Sequence, residues 1–381
     1  MSLKVGRRSE IAPFYAMEVL RAANRRAEAG ERVLHLEVGE PAAGAPGPVL
    51  EAARLALIDN RLGYTEALGI PPLRAAIAAY TSDRYGLDVA PEQIAVTTGA
   101  SGAFMLAFLA AFDVGDRVAL AEPCYPAYRN ILSALGIEVV ALAAGPEHRF
   151  QPAIELLEQA GPLDGLILAS PSNPTGTMLR ENEIAELVRW CDAGGVRLIS
   201  DEIYHGITYG IEPASARAMS ETCVVVNSFS KYFAMTGWRL GWMVMPDDLA
   251  DAVERLAQNL FISPPTLPQR AALAAFDCRD ELDAYVAGYA RSRALMLARL
   301  PDAGFDRLAP ADGAFYIYAD ISRLSNDSQE FCARMLADIG VAVTPGIDFD
   351  RRRGNRYVRF SFAGGEAEIA EAVDRIVTWR P

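Results

Sequence analysis

The chain has 381 residues, of which 51% are hydrophobic and 22% are charged, and its formal net charge is −13 at pH 7. This composition is typical of a globular protein with a large core, and the length is sufficient for two domains. The acidic charge argues against a nucleic-acid surface, which needs clustered Lys and Arg. The longest apolar run, residues 103–112, is too short to span a membrane.

Cysteine and histidine usage narrows the class of protein further. The five cysteines are scattered, and no pair has the spacing of a metal or redox site, so we expect reduced thiols in a cytoplasmic protein. No apolar stretch follows the basic residues near the N-terminus, so we expect no secretory signal. With only three histidines, we expect no metal site.

In chain order, the first 45 residues contain a predicted helix at 13–28 and a strand at 33–38. Apolar strand-like runs then alternate with helical patterns such as 101–112, 125–135 and 183–192. The predicted strands are 94–98, 117–121, 138–143, 165–170, 196–200, 224–228 and 240–245. Strands rich in Val, Ile and Leu, separated by helices, indicate an α/β fold. We predict a three-layer αβα large domain with a mainly parallel seven-stranded sheet.

The pattern changes after about residue 280. A helical stretch through residue 299 leads to short predicted strands at 314–318, 341–344 and 357–362, and then to a helical tail at 366–379. This order is typical of a smaller α+β domain. We therefore expect residues 46–280 to form the large domain, and residues 1–45 to join 281–381 in the small one.

Lysine is scarce in this chain, since only Lys4 and Lys231 occur among its 36 Lys and Arg residues. Genomic base composition explains the scarcity itself. Guanidinium groups supply charge equally well, but they cannot replace an amine that must lose its proton and attack a carbonyl. Lys231 is therefore a candidate nucleophile.

The residues around Lys231 favour a phosphate pocket. Ser228, Ser230 and Arg239 offer hydroxyls and a bidentate guanidinium, which suit a phosphate dianion. An exposed turn is the alternative, but Phe229 and the other nearby aromatic residues would be unusual at a surface. The turn at 98–102, which includes Ala100 and Ser101, follows a predicted strand and opens a helix. Free backbone N–H groups there form a second anion-binding wall.

Polar residues after two other strands suit a pyridine ring. Asp201 follows the strand at 196–200, and a carboxylate there could face a pyridine nitrogen and keep it protonated. A helix cap is the ordinary alternative for such an Asp. Tyr204 and Asn173 could donate hydrogen bonds to a ring hydroxylate, although an Asn-Pro pair is also a common turn.

Two further residues have both a functional and a structural interpretation. Tyr125 follows a predicted strand and could stack on an aromatic ring, or it could be a core tyrosine. Arg359 lies in the middle of a strand among aromatic and apolar neighbours, so it needs an anionic partner. A substrate carboxylate fits, and a structural salt bridge is the alternative.

Together, these segments resemble the class I/II aminotransferases, the pyridoxal-phosphate (PLP) enzymes of fold type I in the aspartate aminotransferase superfamily. The resemblance covers about residues 10–375 and rests on residues 39–41, 63–65, 98–101, 122–126, 173–176, 201–204, 228–231, 237–241 and 359–361. It implies transfer of an amino group from an L-amino acid to a 2-oxo acid by a ping-pong mechanism.

The resemblance also implies a role for each matching residue. Lys231 holds the cofactor as an internal aldimine and moves the substrate proton, while Asp201 pairs with the pyridine nitrogen. The other cofactor-binding residues are Ala100, Ser101, Tyr125, Asn173, Tyr204, Ser228, Ser230 and Arg239. The α-carboxylate of the substrate binds to Arg359, Asn173 and the backbone of Gly39. Tyr64 matches a tyrosine that reaches the phosphate from the other subunit, which implies a homodimer with active sites at the interface.

Some features have no role in the resemblance, and two other functions remain open. Asp350 stands where the family usually has Gly, His205 has no counterpart role, and Arg351, Arg352 and Arg353 suggest a solvated loop. A PLP-dependent C–S lyase would use the same Lys231 and Asp201. A PLP-sensing regulator would carry a basic DNA-binding segment, which this sequence lacks. The preferred amino donor does not follow from the sequence.

Overall fold

The computed structural model describes residues 3–380, and its central feature is a seven-stranded sheet. The strands are β2 (Ile94–Thr97), β3 (Arg117–Glu122), β4 (Glu138–Ala143), β5 (Gly165–Ala169), β6 (Arg197–Asp201), β7 (Val224–Ser228) and β8 (Gly241–Val244). All seven lie within two residues of the predicted runs. A short strand β1 (Leu34–His35) precedes them outside this sheet.

The sheet is mainly parallel, as predicted. Its strand order is β2-β8-β7-β6-β5-β3-β4, and β8 alone runs against its neighbours β2 and β7. The remaining neighbouring pairs are parallel. Parallel strands need crossover connections, and the helices between them provide these.

Alternate residues of the strands pack into two separate apolar layers. Leu166 and Leu168 of β5 belong to one layer, whereas Ile167 between them belongs to the other. Successive side chains of a strand point to opposite faces, so continuous apolar runs bury both faces of the sheet. This explains the Val, Ile and Leu content of the strands and confirms the three-layer architecture. The helices of this region are α2 (Gly47–Asp59), α3 (Pro71–Tyr85), α4 (Gly99–Ala111), α5 (Pro126–Leu135), α6 (Ile154–Ala160), α7 (Glu181–Gly194), α8 (Asp247–Leu260) and α9 (Thr266–Ala272).

Two smaller sheets lie outside the central one, and the first of them joins the two ends of the chain. The N-terminal β1 pairs in parallel with β10 (Val341–Ala342), and β12 (Tyr357–Ser361) lies antiparallel between β11 (Thr344–Pro345) and β9 (Tyr316–Asp320). The helices here are α1 (Tyr15–Glu28), α10 (Arg279–Arg299), α11 (Ser328–Ile339) and α12 (Glu366–Thr378). Among residues 3–380, none of the helices combines the length and the apolar character needed to cross a bilayer.

Candidate active site

Twelve of the predicted site residues line one cavity of about 230 Å³. They are Gly39, Ala100, Ser101, Tyr125, Asn173, Asp201, Tyr204, Ser228, Ser230, Lys231, Arg239 and Arg359. Tyr64 is the exception, since it lies outside the cavity and its side chain is 84% exposed.

The topology explains why residues so far apart in sequence meet here. Asp201 is the last residue of β6 and Ser228 is the last residue of β7, and these neighbouring strands are parallel. Their carboxyl ends therefore lie at the same edge of the sheet, where ligands of α/β proteins bind. Arg359 reaches the cavity from β12, in the smaller sheet.

Lys231 is a partly buried amine without a carboxylate partner among the described residues. Its Nζ donates a hydrogen bond to the carbonyl oxygen of Gly39 at 2.6 Å. Burial, together with the nearby Arg359, lowers the pKa of Lys231 to about 8. A larger fraction of this amine is therefore unprotonated near neutral pH than of an ordinary lysine, as a nucleophile or a base requires.

Asp201 lies buried at the bottom of the cavity. Burial raises its pKa to about 6, while hydrogen bonds from the Tyr128 hydroxyl and from the backbone N–H of Ile203 act in the opposite direction. The hydroxyl of Tyr128 donates to Oδ2, and the N–H of Ile203 donates to Oδ1 at 3.1 Å. Sequence reasoning missed Tyr128, although it lies one helical turn after Tyr125 and both residues line the cavity.

Tyr204 contacts a second tyrosine that the sequence did not single out. The hydroxyl oxygens of Tyr204 and Tyr316 are 2.7 Å apart. Tyr316 also approaches the backbone of Gly39 so closely that a Cβ at Gly39 would lie 1.7 Å from its hydroxyl oxygen. A side chain at position 39 would therefore displace Tyr316.

The predicted anion site depends on two glycines. Gly99 opens α4 with φ +72°, and a Cβ there would lie 2.7 Å from the guanidinium of Arg239. A Cβ at Gly241 would lie 2.9 Å from the backbone nitrogen of Ala100. Glycine at both positions therefore lets Arg239 and the N-terminus of α4 approach each other. Ser228 and Ser230 complete this wall, with their hydroxyl oxygens 2.9 Å apart.

Arg359 is buried and forms no salt bridge with any carboxylate of residues 3–380. Its Nη1 donates to Oδ1 of Asn173 at 2.9 Å, and its Nη2 donates to the carbonyl oxygen of Glu37 and to the hydroxyl of Thr344. Its Nε has no acceptor within the described residues. A buried guanidinium without a carboxylate partner is suited to bind an anionic ligand.

Comparison with known proteins decides the family of this chain. The family model for aminotransferase class I and II matches residues 31–376. The chain belongs to the class I and II aminotransferases.

Characterised members of the family resemble this aminotransferase over its whole length. It is 53% identical to the valine–pyruvate aminotransferase of Mycobacterium tuberculosis, with 100% of both chains covered. A crystal structure of an aminotransferase from the same organism superposes with a TM-score of 0.98 over 100% of each chain, at 53% identity. The aspartate aminotransferase of Thermus thermophilus, solved with maleate, is 33% identical and superposes with a TM-score of 0.92 over 99% of each chain.

The enzyme is thus a PLP-dependent aminotransferase, and the residues of its cavity fit this cofactor. The glycine-dependent wall at Gly99 and Gly241 has backbone N–H groups, hydroxyls and a guanidinium that would suit the phosphate. The carboxylate of Asp201 would suit the ring nitrogen, and the amine of Lys231 would suit the aldehyde. No carboxylate of residues 3–380 forms a salt bridge with Lys231, Arg239 or Arg359.

His205, which had no predicted role in this aminotransferase, links the segment after β5 to the end of α3. Burial lowers its pKa to about 3, so the ring is neutral. One ring nitrogen, Nε2, lies 3.0 Å from the carbonyl oxygen of Ser170, and Nδ1 lies 2.7 Å from the hydroxyl of Tyr85. The contact of Nδ1 with Glu202 at 3.5 Å is therefore not an ion pair.

Asp350, the other departure from the family pattern, fixes the 346–354 loop. Its carboxylate accepts hydrogen bonds from the N–H groups of Arg352 and Arg353 and from Nε of Arg353. Arg353 in turn donates to the carbonyl oxygens of Glu122 and Ala144, at the ends of β3 and β4. Arg353 is therefore part of a tertiary contact, whereas Arg351 and Arg352 are exposed.

Contacts from α5 and its preceding turn hold the same loop. Arg129 donates to the carbonyl oxygens of Asp348 and Phe349, and the N–H of Cys124 donates to Phe349 at 3.1 Å. The 346–354 loop is thus attached to the central sheet at the side of the cavity.

Proposed function

We propose that the cavity around Lys231 is the active site, and that the enzyme transfers the amino group of an L-amino acid to a 2-oxo acid by a ping-pong mechanism. The observation that carries this proposal is the set of three cavity cations, Lys231, Arg239 and Arg359, that form no salt bridge within the described residues. PLP and an amino acid together present an aldehyde, a phosphate and a carboxylate, which these three groups can accept.

The phosphate would be bound at one end of the cavity by Ser228, Ser230, Arg239 and the N-terminus of α4 at Ala100 and Ser101. The close approach of these groups around Gly99 and Gly241 supports this role. A helix N-terminus and a guanidinium both favour a dianion. Tyr125 lines the cavity and would stack on the pyridine ring, which fixes the plane of the cofactor.

PLP, when bound, supplies an aldehyde carbon that accepts the amino group and an electron-poor ring that stabilises negative charge. Lys231 would carry the cofactor through Nζ and would later hold and return the proton that leaves Cα of the amino acid. Its lowered pKa supports the second task, because a base works best when its pKa lies near the working pH.

Asp201 would keep the ring nitrogen protonated, and this pairing would restore its charge, since a neighbouring cation favours the ionised carboxylate. Tyr204 and Asn173 would donate hydrogen bonds to the ring oxygen. The contact between Tyr204 and Tyr316 supports this placement because it fixes the direction of the Tyr204 phenol.

The α-carboxylate of the amino acid would bind to Arg359, with Asn173 and the backbone of Gly39 beside it. The bond from Arg359 to Asn173 orients the guanidinium, and its charge has no carboxylate partner within residues 3–380. A planar fork that is already oriented loses little entropy when it binds a carboxylate.

We propose that the enzyme is a homodimer with active sites at the interface. Tyr64 is 84% exposed, and α2 exposes Leu50, Leu57 and Ile58. An apolar surface of this kind next to an exposed tyrosine suits a subunit contact. Tyr64 would then reach the phosphate of the partner subunit. Light scattering should give twice the mass of one chain, and a monomer that is fully active would contradict this proposal.

Two proposals concern organisation and location. Residues 46–280 would form the large domain, and residues 1–45 would join 281–381 in the small one. The pairing of β1 with β10 supports the second grouping. The enzyme would work in the cytoplasm, which the five unpaired and buried cysteines support.

For the substrates, we propose a donor with an uncharged side chain, such as valine, and pyruvate as the acceptor. The name of the relative from Mycobacterium tuberculosis supports this pair. A C–S lyase of the same fold has no comparable support, since the relatives reported above are all aminotransferases.

Half-reactions test this function directly. The cofactor-loaded enzyme is mixed with each common L-amino acid while the long-wavelength absorbance of the cofactor is recorded. We expect valine to remove this absorbance and pyruvate to restore it. Release of ammonia and pyruvate from a cysteine conjugate, without any amino acceptor, would instead identify a lyase.

A further inference from the structure

Asp348 is a buried carboxylate at the wall of the cavity with one oxygen unpaired. It lies in the turn after β11, and only 1% of its surface is exposed. Its Oδ2 accepts a hydrogen bond from the backbone N–H of Ala16 at 3.1 Å. Its Oδ1 has no hydrogen-bond partner of normal geometry within the described residues, although the backbone N–H of Tyr15 also favours the ionised carboxylate. A buried carboxylate oxygen without a donor is costly, so this one needs an explanation.

The surroundings of Asp348 place it beside the group that would bind the α-carboxylate. The neighbouring Phe349 packs under Arg359, whose guanidinium carbon lies 4.8 Å from the ring centroid. Burial raises the pKa of Asp348, while the backbone N–H groups of Ala16 and Tyr15 and, with smaller effect, Arg359 and Arg129 act in the opposite direction. Asp348 and Arg359 both line the cavity, and they form no salt bridge.

The described cavity lining offers no further cation to a second carboxylate of the substrate. Phe14, Met17 and Val38 line the cavity together with Asp348. Among residues 3–380, the only cationic side chains in the lining are Lys231, Arg239 and Arg359. The proposed function assigns all three of these to the cofactor and to the α-carboxylate. A distal carboxylate would therefore gain no cation from this subunit, and it would approach the carboxylate of Asp348.

We propose that Asp348 is a specificity-determining residue that selects against dicarboxylic substrates, so that the enzyme takes amino acids and 2-oxo acids with uncharged side chains. This inference rests on the proposed function, because it places the side chain of the substrate in the same cavity. It assigns the selectivity to a repulsive element rather than to an additional attractive contact.

The test is the ratio of kcat/KM for glutamate to kcat/KM for valine in half-reactions of the cofactor-loaded enzyme. Asp348→Asn removes the charge but keeps an oxygen that can accept from Ala16. We expect the ratio to rise by about tenfold or more in this variant. An unchanged ratio, including an equal loss of both activities, would overturn the inference, because Asp348 would then only support α1.

Asp350→Asn is the matched control, since Asp350 is a buried carboxylate of the same loop that does not line the cavity. Its carboxylate is occupied by Arg352 and Arg353. Asp350→Asn should leave the ratio at its wild-type value. A rise equal to that in Asp348→Asn would overturn the inference, because the effect would then belong to the loop as a whole.

A measurement on the unmodified enzyme covers the case in which Asp348→Asn does not fold. Succinate and isovalerate, which do not react, are titrated against the cofactor-loaded wild type, with the cofactor absorbance as the readout. We expect isovalerate to bind at the lower concentration, and tighter binding of succinate would overturn the inference. If no amino acid changes the cofactor absorbance, the proposed function is wrong. The titration with succinate and isovalerate does not depend on that reaction, so failure of the proposed function can be distinguished from failure of this inference.

Discussion

The hydroxyl of Tyr128 donates a hydrogen bond to Oδ2 of Asp201 at the bottom of the cavity. This bond stabilises the ionised carboxylate, which burial disfavours. Because an ionised Asp201 is the form that would pair with the protonated ring nitrogen, Tyr128 would act on the cofactor through Asp201.

Tyr128→Phe should shift the acidic limb of the kcat/KM profile to higher pH. Without the donor, the carboxyl of Asp201 is harder to ionise, so its pKa rises. We expect a loss of about tenfold on the acidic limb that diminishes as the pH rises. Tyr232→Phe is the control, because the hydroxyl of Tyr232 bonds to Asp283. A parallel loss at every pH would indicate a purely structural role for Tyr128.

Lys231→Ala should abolish transamination, with a fall in kcat of at least about a thousandfold, since the variant lacks both the cofactor-carrying amine and the base. Lys4→Ala is the matched control because Lys4 is the only other lysine and is exposed. Borohydride reduction of the cofactor-loaded wild type should attach the cofactor to the peptide that contains residue 231. Attachment elsewhere would contradict the assignment of Lys231.

Arg359→Gln should raise KM for the amino donor by about a hundredfold, with a smaller effect on kcat, because the guanidinium would bind the α-carboxylate. Arg359→Lys should restore only part of the affinity, since an ammonium group lacks the planar fork. Steady-state kinetics with valine and pyruvate measure both parameters. If KM is unchanged in both variants, Arg359 does not bind the α-carboxylate and has a structural role instead.

Glu202→Gln should remove a contribution to the stability of the cofactor-free protein that decreases as the pH rises. Burial raises the pKa of Glu202 to about 7, so the folded state binds its proton more tightly than the unfolded state. Stability therefore falls as the pH rises through the interval from about 4.5 to 7, by on the order of 3 kcal/mol from this group. His205 contributes in the opposite direction over most of that interval, because its pKa is lowered to about 3 and the unfolded chain still binds the proton below its ordinary value of 6.5. This contribution is common to the wild type and to Glu202→Gln, so the difference between the two proteins reports on Glu202.

Thermal unfolding at pH 5 and pH 8 measures this effect. The wild-type Tm should fall more between these values than the Tm of Glu202→Gln. Glu371→Gln is the control, because Arg32 and Arg375 lower the pKa of Glu371 to about 2, so its change in Tm between pH 5 and pH 8 should equal that of the wild type. The stability that this pairing supplies is present above the ordinary pKa of Glu and is lost in acid. Equal pH dependence in wild type and Glu202→Gln would refute the role given to burial.

The sequence predicted most of the central sheet because its strands are continuous apolar runs. It predicted less well where strands are short. The run at 33–38 forms only the two-residue β1, since its partner β10 is equally short. The run at 341–344 is divided between β10 and β11, which pair in different sheets. Pairing partners of this kind depend on tertiary contacts that periodicity does not contain.

The sequence predicted the candidate site through polar residues at the carboxyl ends of parallel strands, such as Asp201 and Ser228. Tyr316 was missed because it lies within a buried strand, where an aromatic residue is ordinary, and its contact with Tyr204 joins distant parts of the chain. Asp348 was missed for a different reason. Its significance depends on an oxygen that lacks a donor, which only the packing around it reveals.

The attachment of the 346–354 loop has a consequence for sequence variation. Arg129, Arg353 and the N–H of Cys124 all donate to main-chain carbonyl oxygens, at Glu122, Ala144, Asp348 and Phe349. Replacing the side chains at those acceptor positions leaves the oxygens in place, so evolution and protein engineers can vary them without detaching the loop. The side chains that must be retained to hold the loop are those of Arg129 and Arg353. Homologues whose substrate preference is changed through position 348 should therefore keep both arginines.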